Sequence, residues 1–320
     1  MFDIVRYTAD KAGEWNDFVA QSKNGTFLFD RHYMDYHADR FEDYSLMVLR
    51  RGKLFALLPA NREHDVLFSH RGLTYGGLVV GDKAVADDVC QAMAAVNDHL
   101  HGVGIARVVY KTIPYIYLRI PSDEPLYALT EVCRARLLSR DIASVVRLDR
   151  QLKISELRRR GVRKATAHGV VWRWSDDLPA FWHLLSENLR EKYDSRPVHA
   201  LDEILLLHER FPDNIRLCAA YIGDEMVAGT LLYVTPFVVK TQYISASPHG
   251  KAVCALDLLF SNLIADLSGQ YSYLDMGTSA LDHSTELRLP LIFQKEGFGA
   301  RAVCYDTYEW DVRKSMIGNE

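Results

Sequence analysis

Cysteine is sparse and scattered in this sequence. Its five cysteines (Cys90, Cys133, Cys218, Cys254 and Cys304) lie far apart, are odd in number and form no CxxC pair. That spacing argues against a zinc framework or a disulfide scaffold and predicts buried thiols in a reducing compartment. No apolar run reaches the ~18 residues of a membrane-crossing helix, and the opening Met-Phe-Asp-Ile-Val-Arg has no basic segment leading into an apolar one. A cytoplasmic protein without a transmembrane segment is expected. Charge of one sign is also lacking: the formal net charge is only −4. No global field therefore draws the chain to DNA, RNA or an acidic membrane, and any polyanion site must be a local patch. HExxH, nucleophile-elbow and Walker motifs are absent, and no metal site or permanently bound cofactor is expected.

What is present is the material of a compact α/β protein, with 48% hydrophobic residues in 320. That length exceeds the ~250–300 residues at which one core stops growing, so two domains are expected, 1–150 and 151–320. In the first, Tyr44 to Leu49 and Leu54 to Ala60 read as a hairpin, and Val66 to Ser69 as a further strand. A helix over 84–101 carries Val85, Val89, Met93, Val96 and Leu100, and Ile105 to Tyr110 reads as a buried strand. The second half repeats that order. Leu217 to Tyr221, Met226 to Val234 and Phe237 to Ser245 read as strands. Leu256, Leu259, Phe260, Leu263, Ile264 and Leu267 then mark a helix, and Tyr271 to Asp275 the strand after it. Pairing Gly52 with Gly223, Ala84 with Lys251 and Ile105 with Tyr271 keeps a near-constant offset, the mark of a duplicated unit. Between the halves, 125–149 reads as a helix and strand, Leu152 to His168 as a basic helix, and 178–211 as two helices split by Ser195-Arg196-Pro197. In such a unit ligands bind at the carboxyl ends of the strands, which points to the segment between Ser245 and Lys251.

The passage Ser247-Pro248-His249-Gly250-Lys251-Ala252 resembles the acyl-CoA pyrophosphate loop of GNAT acyltransferases, Arg/Gln-x-x-Gly-x-Gly/Ala. Gly250 and Ala252 match, whereas Ser247 stands where the family has Arg or Gln. Tyr273-Leu274-Asp275-Met276-Gly277, followed by Leu291 to Arg301 with Phe293-Gln294-Lys295-Glu296-Gly297-Phe298-Gly299-Ala300, is similar to the ending of the Fem-type branch. Arg158 to Lys164 with Gly169-Val170, and Tyr75-Gly76-Gly77-Leu78, resemble other segments of that branch. The resemblance implies tandem GNAT-like (acyl-CoA N-acyltransferase) domains with mixed sheets flanked by helices, the acyl-donor site lying in the second. It implies acyl-CoA as cosubstrate, with aminoacyl-tRNA as the alternative donor. The acceptor expected is an amine of a sugar or small cell-envelope precursor. A non-catalytic GNAT-fold binding protein is a third reading, since shared fold does not settle shared chemistry.

Acyl transfer to an amine needs a deprotonated amine, a polarised carbonyl and a stabilised leaving group. The resemblance places the polarising backbone N–H around Tyr243 to Ser245, and the donor-binding set at Ser245, Ser247, His249, Gly250, Lys251 and Ala252. Lys295 is read as a cation for the developing oxyanion or a substrate phosphate, against a surface lysine on a last helical turn. Asp275, at a strand's carboxyl end, is a candidate base or amine orienter, against a turn-capping carboxylate. His283 and Glu286 are candidate bases in the following loop, against solvated side chains. Gln242 and Tyr243 flank the donor, but strand alternation lets only one face it; Tyr243 is the candidate acid for the leaving group. Tyr75, Gly76, Gly77 and Lys111, with Pro114 and Tyr117, mark strand ends whose loops could close over the acceptor at the domain interface, against structural glycine turns. Gly297 and Gly299 read as turn and packing residues, and Trp172 and Trp174 as packing residues along a strand. The cluster Arg158, Arg159, Arg160, Arg163 and Lys164 is either a solvated helix or a phosphate site for a nucleotide-sugar, lipid carrier or tRNA.

Overall fold

In the computed structural model, the structure describes residues 2–279 and 287–313. The chain forms two compact units, Met1–Asp141 with Cys304–Glu320, and Ile142–Val303. The division differs from 1–150 and 151–320 because the C-terminal strand returns to the first unit, a long-range pairing that local pattern does not encode.

Unit 1 contains β1 (Phe2–Arg6), α1 (Ala12–Gln21), α2 (Arg31–Met34), β2 (Glu42–Asp43), β3 (Leu46–Arg50), β4 (Lys53–Leu58), β5 (Asn61–Glu63), β6 (Val66–Phe68) and β7 (Val79–Val80). It continues with α3 (Ala86–Gly102), β8 (Arg107–Lys111), α4 (Glu124–Glu131) and the start of β9 (Arg136–Arg147). The expected hairpin is β3–β4, and β6 runs parallel to β8, joined through α3. The face of α3 bearing Val89, Met93, Val96 and Leu100 closes the core against Leu46, Val48, Leu58 and Val108.

Unit 2 contains the rest of β9, α5 (Glu156–Ala167), β10 (Val171–Ser175), α6 (Leu178–Tyr193), α7 (Leu201–Arg210), β11 (Ile215–Ile222), β12 (Glu225–Val234) and β13 (Val238–Ala246). After these come α8 (Pro248–Ala252), α9 (Ala255–Leu267), β14 (Tyr273–Thr278), α10 (Leu289–Glu296) and the start of β15 (Arg301–Asp311). The strand order is β10-β11-β12-β13-β14-β9, antiparallel except for the parallel pair β13–β14. Hairpin, strand, helix and parallel strand thus recur in both units, as expected for a tandem fold. Strand alternation divides β12 between two faces. Ala228, Leu232 and Val234 join the core built with Leu259, Leu263 and Ile264 of α9. On the other face Gly229 lets α6 approach, since a Cβ there would lie 2.7 Å from the Phe181 ring.

The basic helix begins at Glu156 and not at Leu152, because Ser155 caps it by accepting the Arg158 N–H. Its cations are largely spent internally: Arg158 donates to the Asp257 carboxylate of α9 at 2.6 Å, and Arg159 and Arg163 both pair with Glu156. Gly161 is where α5 meets α9, a Cβ there falling 1.8 Å from Asp257 Oδ2. Trp172 and Trp174 pack against the core from β10, as expected. All five cysteines are free, but only Cys133 and Cys218 are buried; Cys304 is exposed on β15, correcting the expectation of buried thiols. Among the described residues no helix is long and apolar enough to cross a membrane.

Arg158→Met is expected to destabilise unit 2 by about 3 kcal/mol, because it strands a buried carboxylate. Asp257 is already pushed up by burial, so the loss should shrink as acidic pH protonates it. Combining Arg158→Met with Asp257→Leu should recover most of the stability. Denaturant unfolding at neutral and acidic pH reads all three outcomes.

Candidate active site

The parallel ladder between β13 and β14 consists of Val238↔Tyr273, Val239↔Leu274 and Lys240↔Asp275, and ends there. On its other side β13 stays paired with β12, but the register slips between Leu231↔Tyr243 and Leu232↔Thr241, leaving Gln242 as a β-bulge. β13 therefore leaves β14 just past Lys240, and its edge from Thr241 onward has no ladder partner on that side among the described residues. The bulge also resets alternation, which the expectation for Gln242 and Tyr243 had assumed to be regular.

A buried charge cluster stands at this parting. Asp275 is fully buried, and its Oδ1 accepts the Gly277 N–H at 2.8 Å, stabilising the left-handed turn there (φ +74°). Asp275 Oδ2 lies 3.8 Å from Lys240 Nζ. Lys295 projects inward from the last turn of α10 and is 4% exposed, so it is not a surface lysine. Its ammonium donates to Gly277 O at 2.9 Å, Thr278 O at 3.0 Å and Ser279 Oγ at 3.0 Å. These bonds occupy all its protons. Burial and the neighbouring Lys240 push Lys295 down to about 8, while Asp275 opposes the shift.

Tyr243 follows the bulge. Its hydroxyl is 2.5 Å from Nδ1 of the buried His199, and its ring meets Trp182 of α6 edge-on at 5.2 Å. Burial pushes the phenol up to about 12, so it stays protonated at neutral pH; hydrogen bonds from the His199 and Val198 backbone act against the shift.

At the end of β13, Ser245 accepts from Asn188 Nδ2 at 3.2 Å and donates to Leu184 O at 3.3 Å. Asn188 in turn accepts from Lys251 Nζ at 2.5 Å, so α6 ties the strand end to α8. Ser247 is the N-cap of α8: its Oγ accepts the Gly250 N–H at 3.0 Å. Gly250 is there for proximity, because a Cβ would fall 2.1 Å from Val227 O. His249 is exposed beside it, and Ala252 closes the helix. Gly297 and Gly299 behave as packing residues: a Cβ at Gly297 would crowd Arg158 and Ser155, and one at Gly299 (φ +91°) would lie 2.9 Å from Leu152 O.

Of the remaining expected residues, those in unit 1 form a separate group. His283 and Glu286 lie outside the described residues. Tyr75, Gly76, Gly77 and Lys111 belong to unit 1, around the ends of β6 and β8. Ser69 N donates to Val109 O at 2.9 Å, and Lys111 N to Ser69 Oγ at 2.7 Å, so the β6–β8 pair stays closed. Gly76 is pressed on Ser69, a Cβ meeting its carbonyl at 2.0 Å, while Gly77 (φ +99°) packs on the Tyr110 phenol. The Lys111 ammonium is bound to the carbonyls of Arg71 and Leu73, and burial lowers its pKa. Tyr75 is buried, with its hydroxyl on Thr26 and its ring 4.5 Å from that of Tyr117.

The sequence reading did not single out Lys240, His199, Asn188 or Ser279. Only Lys240 carried a signal, a cation in the otherwise apolar and β-branched Val238-Val239-Lys240-Thr241. His199 and Asn188 enter from a loop and a helix, by tertiary packing alone.

Residues 155–284 match the family model for the acetyltransferase (GNAT) domain. No curated protein matches the sequence. The fold is similar to that of FemX, with TM-score 0.67 at 11% identity over 98% of each chain. It is also similar to the C-terminal domain of a putative lysylphosphatidylglycerol synthetase from Agrobacterium fabrum, with TM-score 0.61 at 14% identity over 94% of this chain and 91% of that one. A tandem GNAT protein from the clavulanic acid biosynthesis pathway aligns with TM-score 0.52 at 11% identity, over 98% of this chain and 99% of that one.

Lys295 is expected to titrate near pH 8, well below the ~10.4 of an exposed lysine. Between these values the unfolded chain binds more protons than the folded one, so the penalty of burying this ammonium is fully present below about 8 and is relieved as pH rises above it. A [13C]lysine-labelled sample followed by NMR, with Lys295→Met assigning the resonance, checks this. Separately, Gly250→Ala should cost about 1–3 kcal/mol through overpacking against Val227, read by chemical denaturation.

Proposed function

We propose that this chain, an acyltransferase of tandem GNAT fold with Fem-like architecture, transfers an acyl group from acyl-CoA to an amine of a sugar or small cell-envelope precursor. The observation that carries the reading is the end of the β13–β14 ladder at Lys240↔Asp275, with the bulge at Gln242 just beyond. An acyl chain entering that parting would meet the strand edge from Thr241 to Ser245, whose backbone N–H groups can polarise its carbonyl. Direct attack by the amine then needs no covalent enzyme intermediate.

Within this reading Tyr243 is the proton donor to the leaving group, a task suited to a phenol that burial keeps protonated. Asp275 holds the Gly277 turn and, with Lys295, keeps the end of β14 in place. Ser245, Ser247, Gly250 and Lys251 shape the strand end and α8, where the donor's phosphates would lie, with His249 and Ala252 flanking.

A second reading, an aminoacyl-tRNA donor, is favoured by one observation: the Gly250 N–H is occupied by Ser247 Oγ. A backbone donor of the pyrophosphate loop is thereby consumed, which weakens the case for CoA. The internal pairing of Arg158, Arg159 and Arg163 bears against a tRNA surface on α5.

Titration calorimetry with acetyl-CoA and longer acyl-CoAs, and separately with charged tRNA, distinguishes the donors. Acyl-CoA should bind once per chain, since the β6–β8 pair in unit 1 stays closed. A tRNA interaction should instead weaken steeply with salt. Tyr243→Phe should lower kcat on the order of 100-fold with little change in donor affinity. The acyl-CoA reading fails if no acyl-CoA binds.

A further inference from the structure

Two lysines face the buried Asp275, and their situations differ. Lys295 has every ammonium proton engaged by Gly277 O, Thr278 O and Ser279 Oγ. It is a tie for the end of β14, with nothing left to give a ligand unless those bonds break. Lys240 is 8% exposed, and its nearest acidic oxygen, Asp275 Oδ2, is 3.8 Å away, beyond hydrogen-bond range. Among the described residues its ammonium has no hydrogen-bond partner. A largely buried ammonium that reaches no protein acceptor within hydrogen-bond range is costly, and an apolar side chain in this strand would avoid the cost.

The direction of the side chain matters as much as its burial. Lys240 is in register with Asp275, yet its Nζ lies only 3.5 Å from the point a Cβ would occupy at Gly277. The chain therefore reaches two residues further along β14, towards the carboxyl end of the parallel pair. Ligands gather at such ends. The left-handed turn at Gly277 (φ +74°) places a residue without a side chain beside the ammonium.

We infer that Lys240, and not Lys295, is the catalytic cation of the site, donating to the oxygen of the reacting acyl carbonyl as it becomes an oxyanion. The inference rests on the acyl-transfer reading above. In the step concerned, the amine lone pair forms the new C–N bond and the carbonyl π pair moves to oxygen, where the Lys240 ammonium and a strand N–H stabilise it. The oxygen pair then returns, the bond from carbon to the donor sulfur breaks, and the thiolate takes up the proton lost by the amine, through Tyr243. Lys240 keeps its own proton throughout.

The test is steady-state kinetics with the acyl-CoA that the wild type turns over. Lys240→Met should lower kcat on the order of 100-fold, with KM for donor and amine changed less than about threefold, the split expected of a group acting on the transition state. Because Lys240→Met leaves Asp275 buried beside an apolar chain, a second variant joins it, Lys240→Met with Asp275→Asn. The double variant should melt like the wild type and stay as slow as the single one. A kcat for Lys240→Met within tenfold of wild type overturns the inference. So does recovery of kcat in the double variant, which would make Lys240 a mere neutraliser of Asp275. Absence of wild-type turnover with every acyl-CoA instead overturns the transferase reading, and the inference with it.

Discussion

Past Lys240 and Asp275 the two parallel strands of unit 2 cease to pair, and a sheet that stops pairing in its interior must satisfy the exposed backbone by other means. On the β14 side the protein does so with charge. Lys295 takes the carbonyls of Gly277 and Thr278, and Asp275 takes the Gly277 N–H. On the β13 side the edge beyond Thr241 has no ladder partner among the described residues. The rest of unit 2 is arranged around that asymmetry: α10 delivers Lys295, α6 braces Ser245 through Asn188, and α9 closes the core beneath.

The same order of hairpin, strand, helix and parallel strand gives the opposite outcome in unit 1. There Ser69 continues the pairing with β8, Gly76 packs on its carbonyl, and Lys111 is held on the carbonyls of Arg71 and Leu73. In both units a lysine serves carbonyls near a strand end, half-buried Lys111 in unit 1 and buried Lys295 in unit 2. What separates the units is that the β6–β8 pairing continues through Ser69, whereas the β13–β14 ladder ends at Lys240 and Asp275.

Much of the fold was legible from the chain. The 3.6-residue spacing of Leu256 to Leu267 and the β-rich runs around Gly223 identified α9 and the β11–β12 hairpin because helical periodicity and β-rich composition are carried by neighbouring residues. The return of β15 to unit 1 was not legible, since its partner β8 lies far away in sequence. At the parting of β13 and β14, Asp275, Lys295 and Tyr243 were singled out in the sequence and their structural partners were not. His199 reaches Tyr243 from a loop, and Asn188 reaches Ser245 and Lys251 from a helix. No local spacing records such meetings.

Sequence alone therefore determined the duplicated order of elements, the GNAT-like passage around Gly250 and the residues that end β14, because periodicity and short motifs are local properties of a chain. Only the tertiary structure decided which of two buried lysines is saturated, that Ser247 caps α8 instead of leaving the Gly250 N–H free, and that the β6–β8 pair stays closed while the β13–β14 ladder ends at Lys240 and Asp275. Those outcomes depend on hydrogen-bond satisfaction among groups brought together by packing. A lysine reads identically in sequence whether its protons are engaged or waiting.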